Sequence, residues 1–352
     1  MQPPPNVDYV TTRYVGSKRR LSRWIVEQTR GLRFRRVLDA FGGTGSVSYA
    51  FKRLGKEVTY NDFLLSNYQT GLALIENPTH TLSEEDISWV VKRHKQIDYP
   101  QFIGETFGGI YYTDSENSWL DTAITNITKL ENRYKKALAY HALFQSCLVK
   151  RPFNLFHRRN LYLRLADVKR NFRNDVTWAR SFQFMFRKFA REANSHVFDN
   201  GRDNFALNFD VFEIPRRKYD LVYVDSPYVS QGQTKGDRFD YYSCYHFLEG
   251  MSDYGNWWAR IDYDTPNRRL LPNGHASWGT HEDRVTDDFD RLFCKFQDSI
   301  LVVSYRSPGI PSVSTLRRLL AQYKRNVKVR TRRYKYVLST KPRTCECLLI
   351  AK

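Results

Sequence analysis

Several things are scarce in this chain of 352 residues, and each scarcity removes a class of function. No apolar run approaches the roughly 18 residues needed to span a bilayer. The opening "MQPPPNVDYV" lacks the basic and apolar regions of a signal peptide. Cysteine is sparse, and the five (147, 244, 294, 345, 347) form no CxxC pair and no zinc spacing. A scattered, odd set excludes a disulfide framework and suits a reducing cytoplasm; Cys345 and Cys347 alternate on one face of a predicted strand and read as packing. The eight histidines (80, 94, 141, 157, 196, 246, 275, 281) show no metal spacing either, and no metal is expected. There is no internal repeat and no low-complexity segment. Acid is the last shortage. Asp and Glu number 37 against 56 Lys and Arg, leaving a net charge of +19 and a pI near 9.7. That excess favours polyanionic partners, nucleic acid first and anionic membrane second.

What is present is ample core material, 41% hydrophobic, enough for one large domain or two ordinary ones. Two α/β regions flank a different middle. Residues 36–62, "RVLDAFGGTGSVSYAFKRLGKEVTYND", read as strand, Gly-rich turn, helix from Ser46 to Leu54, and a second strand at Val58–Tyr60. A helical crossover implies parallel strands. Residues 219–225 and 299–305 are buried-type strands, 314–323 is a helix with a Ser or Thr cap, and "VKVRTRRYKYVL" with "CECLLIA" reads as a closing antiparallel pair. In the middle, residues 119–149 and 177–193 place apolar residues at helical spacing, and no strand alternation convinces between about 66 and 160. The expected organisation is a doubly wound, mostly parallel α/β domain, 1–66 and 195–352, interrupted by an inserted helical domain, 67–194.

Two strand ends offer chemistry. In "DAFGGTGSV" a strand stops at Asp39, and glycines at 42, 43 and 45 turn the backbone tightly into a helix N-terminus whose amides can hold an anion. The turn is neither GxGxxG nor GxxxxGK[ST], so a pyrophosphate loop is poorly supported. Asp62 ends the next strand about 20 positions on, where an acid grips a nucleoside ribose. Taken alone, that turn is structural punctuation and Asp62 a cap; together they favour a nucleoside-containing cofactor. In "YDLVYVDSPYVSQG", Asp225, Ser226, Pro227 and Tyr228 follow a buried strand directly. Asp225 and the neighbouring carbonyl can accept the two hydrogens of a nucleobase amine, Pro227 stiffens the turn, and Tyr228 offers a stacking face. Two acceptors localise an amine lone pair that the ring otherwise delocalises. The plain alternative is a strand-end turn with a capping Asp. "TTRYVGSKRRLSRWI", read without context, is a surface loop with solvated charges.

"RYVGSK", "DAFGGTGSV", "YND" and "YVDSPY", in this order with an insert before the last, resemble the Dam-like (alpha-group) N6-adenine DNA methyltransferases. The likeness extends through "YYSCYHFLEG", "ILVVSYRSPG" and "ECLLI", about two thirds of the chain. It implies the S-adenosylmethionine-dependent methyltransferase fold, with the insert recognising the target in double-stranded DNA. It implies that Tyr14 and Lys18 contact S-adenosyl-L-methionine and border the active site. Asp39 and the turn from Phe41 through Gly42 to Gly45 would lie under its methionine part, Asp62 would hold its ribose and Asp203 would read its adenine. Asp225 to Tyr228 match the family's DPPY, with Ser226 where the family has proline; the carbonyl it uses there is one Ser also supplies.

For DNA, "KRPFNLFHRRNLYLRLADVKRNFR" interleaves Arg and Lys with aromatic rings, and Lys150, Arg151, Arg158 and Arg159 are the expected phosphate contacts. His246 would sit near the site in a structural role. The resulting reading is methyl transfer to N6 of a flipped adenine. N4-cytosine methylation, a DNA-binding protein without turnover, and a nicotinamide oxidoreductase are the rivals. No membrane contact is expected. The chain should act as a cytoplasmic, nucleoid-associated monomer of prokaryotic or phage origin, with a cognate restriction endonuclease a candidate partner.

Overall fold

The computed structural model describes residues 9–168, 174–228, 240–271, 278, 284–334 and 344–352, excepting the side chains of 174 and 175. His275, His281, and the stretches 169–173 and 229–232 of the two motifs above lie outside them. Seven strands form one sheet: β1 Arg36–Asp39, β2 Glu57–Asn61, β3 Phe205–Leu207, β4 Leu221–Val224, β5 Ile300–Ser307, β6 Val327–Arg333 and β7 Cys345–Ala351. Their order is β3-β2-β1-β4-β5-β7-β6, with β7 antiparallel to both of its neighbours. The central strands are apolar throughout because both faces are covered; β4 is buried at all four positions. β6, at the edge, instead reads VKVRTRR and is largely exposed, and its charges oppose pairing with another sheet.

Helices α1 (Ser22–Thr29) and α2 (Ser46–Arg53) lie on one face, with α11 (Tyr241–Ser252). Helices α12 (Val285–Lys295) and α13 (Val313–Tyr323) cover the other. Ser312 caps α13 by accepting from Thr315 N. Between β2 and β3 every regular element of the described residues is helical: α3 (Leu65–Gly71), running into a π-turn at Leu72–Glu76, then α4 (Glu84–Val91), α5 (Phe102–Phe107), α6 (Asp114–Thr128), α7 (Arg133–Val149), α8 (Tyr162–Leu165), α9 (Asn174–Ala179) and α10 (Phe182–Asn194). The periodic stretch 119–149 thus breaks in two, where Asn132 accepts from Tyr134 N and Lys135 N and starts a new helix. The boundary expected at residue 67 falls inside α3, because parallel β2 and β3 need a crossover helix before any insertion. Nor does the helical region have a core of its own. Leu138 of α7 and Phe186 of α10 belong to the same buried cluster as Val37 and Val58 of the sheet. No helix of the described residues is long and apolar enough to cross a membrane.

One buried pair reports on this packing. His141 of α7 is 1% exposed and its Nδ1 lies 3.1 Å from the Thr70 hydroxyl of α3. Burial, helped by the charge of His196, holds its pKa down at about 4 from 6.5. The unfolded chain therefore binds more protons between those values, and stability is lost as pH falls through that window. His141→Gln can keep the Thr70 bond without titrating. In urea unfolding, the stability gap between wild type and this variant should narrow from pH 7 to pH 4; a constant gap would show that His141 titrates as it does in water.

Candidate functional site

Strand order reverses between β1 and β4, and a cleft opens there at the carboxyl ends of the strands, where open α/β sheets bind ligands. It spans about 1130 Å³, the open solvent at its mouth included. The Gly-rich turn forms its floor. A Cβ on Gly42 would stand 2.1 Å from the Tyr60 ring, so only glycine lets the turn lie on that side chain. Gly45 has φ +74° and begins α2, its amide closing the turn on Gly42 O at 2.8 Å; it shapes the loop without facing the cleft. Asp62 pins the turn from β2, accepting from Gly43 N at 2.8 Å and from Leu64 N at 2.9 Å.

Asp39, Asp62 and Asp225 all line this cleft, with Tyr14, Lys18, Phe41, Gly42 and Pro227. Asp39 is 1% exposed; Ser48 donates to Oδ2 at 2.6 Å while Oδ1 is buried with no partner. Burial, with the charges of Asp225 and Asp62 adding to it against the Ser48 bond, pushes its carboxyl up to about 7. An orphaned carboxylate oxygen in a cleft suits a cationic ligand. Burial also raises Asp62, opposed by its three bonded donors.

Lys18 is the cleft's cation. Its side chain is 4% exposed; Nζ donates to Asp225 Oδ1 at 2.7 Å and to the Tyr228 hydroxyl at 2.6 Å, and lies 3.8 Å from Glu346 Oε1. Burial alone would lower its pKa, but Asp225 and Glu346 more than offset this and the ammonium is favoured. Glu346, from β7, is fully buried and also accepts from the Ser304 hydroxyl of β5. Tyr228 in turn donates to Asp225 Oδ1 at 2.9 Å. Both donors therefore crowd one oxygen, and no described group bonds Oδ2. The ring of Tyr228 stands edge-on to Tyr305, outside the residues that line the cleft. Ser226 is 3% exposed with its hydroxyl unpartnered, and no described donor reaches its carbonyl. Across the cleft an aromatic wall rises: Tyr14 stacks on Tyr245 at 4.2 Å and on Tyr241 at 5.8 Å. Among the described residues no group of three His, Cys, Asp or Glu could hold a metal.

Three expected residues are placed otherwise. Asp203 is exposed ahead of β3, at the end of the sheet away from the cleft; Asp210, just past β3, lines it instead. Lys150 is 1% exposed, its Nζ donating to Trp178 O and Arg180 O and pairing with Glu116 at 3.0 Å. Arg151 is 2% exposed and spends its donors on Leu155 O, Tyr111 O, Arg158 O and the Asn160 side chain. Both cations are spent inside the fold: Lys150 satisfies carbonyls at the end of α9, and Arg151 those of the loop after α7 together with Tyr111 O. Arg158 and Arg159 are exposed. His246 is fully buried behind α11's cleft-lining turn, 2.8 Å from the Tyr111 hydroxyl, and burial drives its pKa down to about 3. Glu346, Ser304, Asp210 and Tyr241 went unassigned by sequence. Only Asp210 left a signal there: "ALNFDVF" puts an acid shortly after a short apolar run.

Residues 14–256 match the model of the D12 class N6 adenine-specific DNA methyltransferase family. Among characterised proteins, the chain is 31% identical over 250 residues to the Type II methyltransferase M2.HphI of Haemophilus parahaemolyticus, covering 69% of this chain and 71% of that one.

The Lys18 cluster makes a testable demand. Lys18→Met removes the ammonium shared by the buried Glu346 and the partly buried Asp225 and should lower stability by up to about 3–5 kcal/mol. Adding Glu346→Gln removes one of the two charges that Lys18 balanced, so the double variant should be more stable than the additive expectation by about 0.5–3 kcal/mol. Denaturant unfolding of the four proteins measures this; strict additivity would mean that the two groups do not interact.

Proposed function

Because the chain belongs to the D12 class N6 adenine-specific DNA methyltransferase family, we propose that its cleft takes S-adenosyl-L-methionine on the Gly-rich turn and receives a flipped adenine of double-stranded DNA at Asp225–Tyr228. The observation that carries this reading is the asymmetry of Asp225. Lys18 and Tyr228 both bond Oδ1, and no described group bonds Oδ2 of this cleft-lining carboxylate. When bound, S-adenosylmethionine supplies an electrophilic methyl group on a sulfonium. Asp39 Oδ1 suits the ammonium of its methionine part, Asp62 its ribose, and Asp210 the polar edge of its base.

Asp225 Oδ2 and the Ser226 carbonyl would accept the two N6 hydrogens of the adenine, which turns the nitrogen lone pair out of the ring plane and toward the methyl. As the nitrogen lone pair forms the bond to the methyl, the sulfur–methyl bond pair would stay on sulfur as a neutral thioether, and N6 would shed one proton along the Asp225 bond toward solvent. Lys18 balances the Asp225 charge and holds the carboxylate at one angle, so no reorientation is needed as charge develops. Pro227 fixes the turn and Tyr228 would stack on the base, tethered beside Asp225 by its hydroxyl. The serine in place of the family's proline leaves the reacting carbonyl unchanged. The helices after α3 would carry target recognition, with Arg158 and Arg159 on phosphates. Likeness to M2.HphI, a Type II methyltransferase, supports a partnership with a cognate restriction endonuclease.

Asp225→Ala should lower single-turnover methyl transfer by about 10²–10³-fold, the loss expected for a preorganised transition-state contact, while duplex affinity changes little. Transfer within a few-fold of wild type would overturn the assignment of Asp225. Replacing Arg158 and Arg159 with alanine should flatten the slope of log affinity against log salt by about 0.9 for each phosphate no longer neutralised. An unchanged slope in salt-titrated binding would take these two arginines off the DNA.

A further inference from the structure

Positive charge is gathered in one part of this chain. From Ser299 to Cys345 there are twelve Lys and Arg and no Asp or Glu, in a protein whose whole net charge is +19. The stretch holds β5, α13 and β6, and it lies beyond the residues 14–256 that match the family. None of its residues lines the cleft. The charge is densest on β6, where Lys328, Arg330, Arg332 and Arg333 are all exposed and, among the described residues, none pairs with a carboxylate. The acid opposite Arg332 in the ladder, Glu346, is fully buried and engaged by Lys18 and Ser304. Charge of either sign would guard a sheet edge against pairing, and here only one sign is present.

The register of the sheet places this charge relative to the active-site turn. β4 ends at Val224, level with Val303 of β5. β5 runs on to Ser307, which is level with Cys345 of β7 and, across it, with Arg333 of β6. At about 3.3 Å per residue, that side of the sheet stands roughly 13 Å above the end of β4. Arg330 is level with Ser304, one residue past Val303, so Arg330 to Arg333 rise from the height of Asp225 upward. Sideways, β6 is separated from β4 by β5 and β7, three spacings of about 4.8 Å, or roughly 14 Å. A basic wall thus flanks the turn on this side. The helices that carry Arg158 and Arg159 depart from β2, in the opposite half of the sheet.

We propose that β6 is a second grip on duplex DNA, holding phosphates to one side of the target adenine without reading sequence; this rests on the reading that Asp225–Tyr228 receive that adenine. At about 3.4 Å per base pair, a sideways distance of roughly 14 Å corresponds to phosphates about four base pairs from the target. Cations spaced along a strand neutralise whatever backbone passes over them, whatever its bases. A duplex whose adenine enters the cleft would then be held from both ends, by Arg158 and Arg159 on one side and by β6 on the other.

The test uses the full chain and a duplex carrying the methylated site, mapped beforehand on DNA from an expressing host. Arg330→Gln, Arg332→Gln and Arg333→Gln together should weaken duplex binding at least about tenfold at low salt and flatten the salt slope by about 0.9 for each phosphate released. Lysine at the same three positions should keep affinity within about threefold, because lysine serves phosphate as a point charge. At saturating duplex the glutamine variant should transfer methyl within about threefold of wild type, as expected when only uniform binding is lost. Its preference for the site over unrelated duplex should not change. Single phosphates replaced by uncharged methylphosphonates locate the contact: wild type should lose affinity about four base pairs from the target on one side, and the glutamine variant should be indifferent there. A glutamine variant that binds as wild type does, a lysine variant as weak as the glutamine one, an altered site preference, or equal sensitivity of both proteins to every methylphosphonate would each overturn this grip. A wild type that methylates no DNA would sink the adenine reading, and the grip with it; normal methylation with any of those four outcomes sinks the grip alone.

Discussion

One buried ammonium group joins the parts of this molecule that chemistry needs together. Lys18 belongs to the N-terminal segment, Asp225 and Tyr228 to the turn after β4, Glu346 to β7, and Ser304, which bonds Glu346, to β5. Without the cation, the partly buried Asp225 and the buried Glu346 would lose the ammonium they share. The antiparallel insertion of β7 beside β5 is what brings Glu346 beneath the active-site turn. Its pairing sets Glu346 opposite Arg306 and carries its side chain to the Ser304 hydroxyl. The strand order that looks incidental to a nucleoside-binding fold therefore places Glu346 beside the Lys18 ammonium that holds the Asp225 carboxylate.

The same logic explains what could and could not be read in the sequence. The segment from Arg36 to Asn61 was legible because its signals are local: an apolar run, a turn only glycine can make, a helix, another run. Asp225 was legible for the same reason. Asp203 was misplaced because β3 is only three residues long, too short to show which acid precedes the strand and which follows it. Lys150 and Arg151 were read as surface charge because a basic residue carries no mark of burial in its own neighbourhood. Their partners, the carbonyls of Trp178, Arg180 and Tyr111, are tens of residues away. Glu346 is the extreme case, a charge inside "CECLLIA" whose partner Lys18 lies at the other end of the chain.

Family membership and geometry also meet at the serine. A proline at position 226 would stiffen the turn through its ring, but Asp225 is already held from behind by Lys18 and Tyr228. Rigidity can thus come from the buried ion pair rather than from the backbone. The Ser226 hydroxyl, buried and unpartnered, is the residual cost of that exchange, since a proline would bury no polar atom there.

Charge, finally, is distributed so that two oppositely charged ligands are kept apart. The chain as a whole is at +19, which draws the polyanion to its surface. Of the described residues that line the cleft, five are aspartates (39, 62, 210, 225 and 240) and one, Lys18, is basic. Lys18 is engaged by Asp225 and Glu346, so the cleft itself repels phosphate and favours a cation. Burial first, and then the charges of Asp225 and Asp62, push the Asp39 carboxyl up to about 7. A cofactor carrying a sulfonium and an ammonium would favour the ionised form of that carboxylate. DNA would then meet a site whose negative charge is already balanced. A neutral base could enter it, while the phosphates stay outside on the arginines.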